Sequence, residues 1–226
     1  MNKRPLVIAI DGPSGAGKGT VARNLASRLN YRHVDTGAMY RAVAWKALQE
    51  GLDLEDEEAV SRLARGITLD AQGGAVAVDG IDISREIRTP AIDAAAARVA
   101  RQPKVRAVLI EQQRKLGAGG GVVMEGRDIG TVVFPNADVK LYLDASPEER
   151  ARRRAHDPSH TAGRGAAAVT DIANALEARD RLDRTRTASP LAVAPDAIKM
   201  DTTQMSVDEV VERVLRMIEA NHSRSL

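Results

Sequence analysis

The sequence predicts a doubly wound α/β fold, a five-stranded parallel sheet with helices on both faces. Three observations carry that prediction. Short apolar runs of β-formers recur at 6–10, 31–34, 122–124, 139–143 and 197–200. Stretches of helical period separate them, the alternation that parallel strands require. The first run passes directly into GPSGAGKGT and then into a helical pattern, which puts a glycine-rich turn at the carboxyl end of a strand.

That turn supplies the first chemistry. Gly12, Pro13, Ser14, Gly15, Ala16, Gly17, Lys18, Gly19 and Thr20 form a loop with four glycines around one lysine. A polyphosphate must lie against backbone N–H groups, and Cβ atoms on the loop would hold it away. The following helix start adds oriented donors and partial positive charge, and Lys18 neutralises the β and γ phosphates. A plain flexible turn is the rival, but strand and helix stand where the motif needs them. Ser or Thr usually follows the lysine, whereas here Gly19 intervenes before Thr20. A Mg²⁺ ion is therefore expected to rest mainly on phosphate oxygens and water, with Thr20 and Glu125 as the protein groups in reach.

Composition removes several other classes. A 226-residue chain with 43% hydrophobic residues can bury a substantial core. The 33 basic and 31 acidic residues leave a net charge of +2, too small for a polynucleotide footprint, and aromatics at 2% give no stacking ladder for bases. Without cysteine there is neither a disulfide framework nor a thiolate metal site. The apolar run behind the basic start ends at Asp11, and no stretch approaches the roughly 20 apolar residues of a membrane span. A cytoplasmic monomer is expected, without nucleic-acid polymer or membrane as partner.

The elements follow in order. Residues 20–30 carry apolar positions at helical spacing, and 31–34 form a strand that delivers DTGAMYR, where Asp35 or Thr36 caps a helix to about residue 50. Read alone, that segment is better taken as a capped turn with Tyr40 a core aromatic and Arg41 a surface charge. After a short helix at 53–65, ITLDAQGGAVAVDGIDI alternates apolar runs with GG and DG turns, the pattern of a small antiparallel insert at about 67–85. Helices are expected at 89–100 and 103–116. The strand at 122–124 delivers Glu125, Arg127 and Asp128 to the crevice where open α/β sheets bind ligands. Glu125 there is either an acid holding a metal's water shell or a helix cap.

Residues 146–165 hold Arg150, Arg152, Arg153, Arg154 and Arg164 and run into HDPSHTAGRG, which reads as a solvated helix with a linker or as a lid carrying positive charge over phosphates. In the helix expected at 169–187, Arg179, Asp183 and Arg186 share a face at i, i+4 and i+7, with Asp180 and Arg184 beside them. Surface ion pairs or an anion-facing helix would look alike. Ser206 with Glu209 three residues on opens a last amphipathic helix.

Taken together, GPSGAGKGT, DTGAMYRA, EGRDIGTVVFP, LDASPEERARRR and RDRLDRTR resemble the bacterial cytidylate kinases over nearly the whole chain. The resemblance implies the P-loop NTPase fold and a nucleotide kinase with ATP as donor, Mg²⁺ as cofactor and CMP or dCMP as acceptor. It implies a core of about 1–52, 104–146 and 166–226, a monophosphate-binding insert of about 53–103, and a lid of about 147–165. By the same resemblance Thr36, Tyr40, Arg41, Arg106, Asp128, Arg179, Asp183 and Arg186 bind CMP. Lys18, Arg127, Arg153 and Arg154 act on the transferring phosphate. Two positions depart from the family's pattern: Ala97 stands where a serine near the base is frequent, and Thr36 replaces the commoner serine but keeps its hydroxyl.

The chemistry expected is transfer of the ATP γ-phosphoryl to a nucleoside monophosphate, with Asp128 and Asp183 facing the nucleoside and Arg41, Arg106, Arg179 and Arg186 the acceptor phosphate. A kinase of another monophosphate is the near rival. A kinase of a metabolite alcohol would need a carboxylate base, for which Asp35 is the evident candidate. A nucleotide-gated switch would use arginines less, and the N-K-x-D run of guanine-specific switches is absent.

Overall fold

The computed structural model describes residues 4–157 and 166–223. Its centre is a five-stranded parallel sheet of β1 (Val7–Asp11), β2 (Arg32–Asp35), β6 (Val122–Gly126), β7 (Val139–Asp144) and β8 (Ile198–Asp201), in the order β2-β6-β1-β7-β8. All five expected strands are present. They were recognisable because strands covered on both faces are apolar throughout.

Side chains alternate between two cores, as a period of two demands. Ile8 and Ile10 of β1 and Val123 of β6 face helices α1 (Lys18–Leu29) and α8 (Val207–Ser223), while Ala9, Val122 and Met124 face the opposite layer. That layer comprises α2 (Thr36–Gln49), α3 (Glu57–Gly66), α4 (Pro90–Val99) and α5 (Pro103–Gly117). Full burial of an Ile such as Ile8 or Ile10 contributes roughly 1.5–3 kcal/mol.

The helix starts follow local chemistry. Asp35 Oδ1 accepts the Ala38 amide at 2.9 Å, so Asp35 is the cap of α2 and Thr36 its first residue. Thr89 caps α4 ahead of Pro90, a residue suited to the first helical position. Ser206 and Glu209 exchange backbone amide bonds at 3.2 and 2.8 Å, the reciprocal cap that the sequence predicts for α8.

The insert is a three-stranded antiparallel sheet of β3 (Leu69–Asp70), β4 (Ala77–Val78) and β5 (Ile81–Asp82). It docks on the free edge of β2, where Gly73 donates to the His33 carbonyl at 3.2 Å. After β6 the chain makes a π-helical turn, Ile129–Val133, which the sequence pattern did not suggest. Its first amides, Ile129 and Gly130, donate to the two carboxylate oxygens of Asp11 at 2.8 and 2.7 Å. Burial pushes the Asp11 carboxyl up to about 6 despite these two donors.

Helix α6 (Pro147–Ala155) begins the arginine-rich segment, and α7 (Ala166–Thr185) packs against it. Residues 158–165 of the expected lid, Arg164 among them, lie outside the described residues.

Candidate active site

The carboxyl ends of β1, β2 and β6 open into a cleft of about 570 Å³. Its floor is the loop between β1 and α1. Gly17 takes φ +86° at the start of α1, a left-handed conformation that favours glycine. Lys18 is buried, and its Nζ donates to the Pro13 carbonyl at 2.7 Å. Burial, reinforced by the Arg127 guanidinium, pushes the Lys18 amine down to about 7.

Gly19 explains the departure from the usual loop. A Cβ on residue 19 would stand 2.9 Å from Oε1 of Glu125, so the Glu125 carboxylate fills the space that a Ser or Thr side chain would need. Glu125 is buried, and its Oε1 lies 3.1 Å from His33 Nε2. A hard oxygen donor therefore sits against the phosphate loop where the commoner motif has a hydroxyl. This donor chemistry fits Mg²⁺, which keeps its waters and takes few protein oxygens. Among the described residues no group of three or more His, Asp or Glu side chains forms a metal cage. Thr20 is exposed at the cleft's rim.

One wall comes from α2 and α5. Arg106 is fully buried, ion-paired to Asp128, with its guanidinium carbon 5.3 Å from the centre of the Tyr40 ring. Arg186 reaches the other Asp128 oxygen at 3.4 Å and donates to the Ser189 carbonyl at 2.6 Å. Arg127 pairs with Asp183 at 2.9 Å, and Arg186 lies 3.5 Å from the same carboxylate. Burial raises the Asp183 carboxyl, but Arg127, Arg179 and Arg186 outweigh it and hold the group below the usual range.

Asp128 and Asp183, the two carboxylates expected to face the nucleoside, are each held by arginines of the site. Arg106 and Arg186 are bound to Asp128 across elements remote in sequence, a pairing that spacing cannot reveal. Thr36 likewise donates its hydroxyl proton to the Glu125 carbonyl at 2.7 Å, tying the start of α2 to the end of β6.

The arginines of α6 divide by direction. Arg153 turns to the back of the loop, donating to Thr202 Oγ1 at 3.0 Å and the Thr202 carbonyl at 2.6 Å, and pairing with Glu149 at 2.8 Å. Arg154 turns across the cleft to Asp93 of α4. Arg179 of α7 and Arg41 of α2 approach the same aspartate. Tyr40 Oη and the Nε atoms of Arg41, Arg106 and Arg179 are buried polar groups with no hydrogen-bond partner among the described residues.

Sequence reasoning missed Asp93 as part of the site. It also missed the wall formed by Thr202, Met205, Ser206 and Val207. The position of that segment after the last strand was the available signal, because ligands sit beyond the carboxyl ends of such strands.

A parallel sheet carrying a glycine loop with a buried lysine, opposite arginines from four helices, defines a phosphotransferase of the phosphate-binding-loop class. A family model described as Cytidylate kinase matches residues 8–220. The cytidylate kinase of Pelotomaculum thermopropionicum is 50% identical over 221 residues, covering 94% of this chain and 96% of its own. That of Geobacillus kaustophilus is 47% identical over 220 residues, covering 96% and 97%. Among solved structures, shikimate kinase from Acinetobacter baumannii aligns over 96% of this chain and 94% of its own at 16% identity and a TM-score of 0.47, too distant to bear on function. This chain belongs to the cytidylate kinase family.

Proposed function

We propose that this chain moves the γ-phosphoryl group of ATP to the phosphate of CMP or dCMP, giving ADP and the cytidine diphosphate. One observation supports it above others: Arg41, Arg154 and Arg179 reach from three helices toward one spot in the cleft that also holds Lys18. So many guanidiniums suit an acceptor that is itself a phosphate. Its oxygen is already ionised near neutrality, since a phosphate monoester's second pKa is about 6, and no general base is needed.

The residues then divide the work. The loop amides and Lys18 hold the donor's β and γ phosphates, and Arg127, beside Lys18, adds charge where the phosphoryl crosses. Arg154 and Arg179 orient the acceptor phosphate, with Arg41 behind them. Tyr40, Arg106, Asp128, Asp183 and Arg186 form the wall for the cytidine, with Thr36 fixing the base of that wall. Arg153 steadies the loop through Thr202. Glu125 and Thr20 would hold the waters of a Mg²⁺ ion bound with ATP, which would supply charge neutralisation at the phosphate oxygens. Within the proposed insert of 53–103, Ala96 and Ala100 line the cleft.

The alcohol-kinase alternative loses its base. Asp35 caps α2 and pairs with Arg41 at 3.0 Å, and although burial raises its carboxyl, Arg41 and the Ala38 amide outweigh that and hold it low. The chain is further proposed to act as a monomer: among the described residues its exposed large hydrophobics, Leu48, Ile81 and Leu182, lie on three separate elements. Among the described residues no helix is long and apolar enough to cross a membrane.

The test is a coupled ADP-release assay with ATP and Mg²⁺, offering CMP, dCMP, UMP, AMP, GMP and dTMP one at a time. Turnover concentrated on the cytidine nucleotides is expected. ATP binding without turnover on any of the six would overturn the acceptor assignment.

A further inference from the structure

Asp93 lies in the first turn of α4, an otherwise alanine-rich helix. A carboxylate there complements the helix dipole wherever it points. It points inward. Its Oδ2 accepts from Arg154, and its Oδ1 lies 3.5 Å from Nη1 of Arg179 and 4.0 Å from Nη1 of Arg41. The three arginines come from α6, α7 and α2, and their only shared partner among the described ion pairs is this carboxylate.

Each arginine also feels a second carboxylate, Asp35 for Arg41, Asp157 for Arg154 and Asp183 for Arg179, yet Asp93 is the one within 4.0 Å of all three. Burial, with the Arg127 charge, still holds the Arg179 guanidinium below the usual range. The shared carboxylate thus stands where three guanidiniums converge. A phosphate brings the same kind of oxygens with more charge, so it matches these donors better than a carboxylate does.

We propose that Asp93 is an internal counter-ion of the acceptor-phosphate site, holding Arg41, Arg154 and Arg179 aimed at one spot and yielding them to the phosphate of the incoming nucleotide. The inference rests on the acceptor reading given above. Asp93 keeps the arginines ordered across the cleft, and its negative charge opposes the acceptor's phosphate. It therefore weakens acceptor binding and speeds departure of the charged product.

The experiment is calorimetric titration of the full chain with CMP and with cytidine, using Asp93→Asn, Asp93→Ser, Arg179→Ala and the Asp93→Asn/Arg179→Ala double variant. Removing a like charge from a partly buried site is expected to tighten CMP binding about fivefold to tenfold in both Asp93 variants, with cytidine unchanged. The gain should shrink in the double variant, where the shared arginine is gone. CMP affinity unchanged or weakened in both Asp93 variants overturns the proposal. So does a change in melting temperature with an unaltered ratio of CMP to cytidine affinity, which is what a helix-dipole role alone would produce. Arg179→Ala separates the layers. If it weakens CMP while the Asp93 variants do nothing, only the counter-ion role falls; if it too leaves CMP unaffected, the acceptor-phosphate assignment falls and takes the counter-ion role with it.

Discussion

Asp180 accepts the backbone amide proton of Ser14 at 3.1 Å, joining the phosphate loop to a helix that begins about 150 residues later in the chain. The tether is double, because Arg150 of α6 pairs with Asp180 and donates to the Ser14 carbonyl at 3.0 Å. All three groups are buried. The loop's shape is therefore set in part by helices α6 and α7, and not only by its own glycines.

Asp180→Ala should expose the weakness of that design. It strands the buried Arg150 charge, a loss of about 3–5 kcal/mol for a broken buried pair. It also frees the Ser14 amide, so the KM for ATP should rise more than the KM for CMP. Urea unfolding and initial-rate kinetics measure the two effects, and wild-type stability in the variant would refute the tether. Asp180→Asn keeps an acceptor for Ser14 and should lie between the two.

The tether also shows what a sequence conceals. The strand at 7–11 and the glycine loop are legible because each is dictated by neighbours in the chain: covered strands need continuous apolar residues, and the turn needs glycine. The reciprocal cap at Ser206 and Glu209 is legible for the same reason. Asp180 and Asp183 are three apart and alike in type, yet one holds the phosphate loop and the other Arg127. Arg153 and Arg154 are adjacent, and the rotation of α6 against the sheet sends one to Thr202 and the other to Asp93. Such choices are made by packing between elements, which spacing along the chain does not encode.

Arg179→Ala and Arg153→Ala should therefore separate cleanly. Removing Arg179 takes a guanidinium from the acceptor side, so the KM for CMP should rise about 30-fold or more while that for ATP stays within about twofold. Removing Arg153 takes a support from Thr202 behind the loop, so the KM for ATP should change more than that for CMP. Steady-state kinetics with each substrate varied in turn decides it. The same pattern in both variants would mean the two arginines have been assigned wrongly.

Gly19→Ser restores the residue type usual after the lysine, and it should damage the enzyme. Its Cβ would stand 2.9 Å from Glu125 Oε1, forcing the carboxylate or the loop aside. A shift of that size beside the transferring phosphate is expected to cost about 100-fold in kcat. In the double variant Gly19→Ser/Glu125→Ala the clash is gone and a hydroxyl replaces the carboxylate, so part of the lost rate should return. A single variant with normal kcat would show that Glu125 is free to move and does not define the loop.

Lys18 makes the sharpest prediction, because its burial has two consequences of known sign. With its amine pushed down to about 7, it is largely neutral at pH 8 in the free protein. A triphosphate beside it favours the ammonium, so binding MgATP at pH 8 should take up close to one proton. At pH 6 the amine is already charged and this uptake should vanish. Calorimetry in buffers of different ionisation enthalpy measures the proton count, and Lys18→Met should abolish it. For stability, the unfolded lysine near 10.5 holds its proton where the folded one has lost it, so this group makes stability rise with pH between about 7 and 10.5. Below pH 7 the folded chain carries the full cost of a buried charge. Lys18→Met should consequently stabilise the fold at pH 6 by a few kcal/mol, since each tenfold loss of proton affinity on folding corresponds to ~1.4 kcal/mol, while turnover collapses. A less stable Lys18→Met variant at pH 6 would mean that the bond to the Pro13 carbonyl outweighs desolvation, and the proton uptake should then be absent as well.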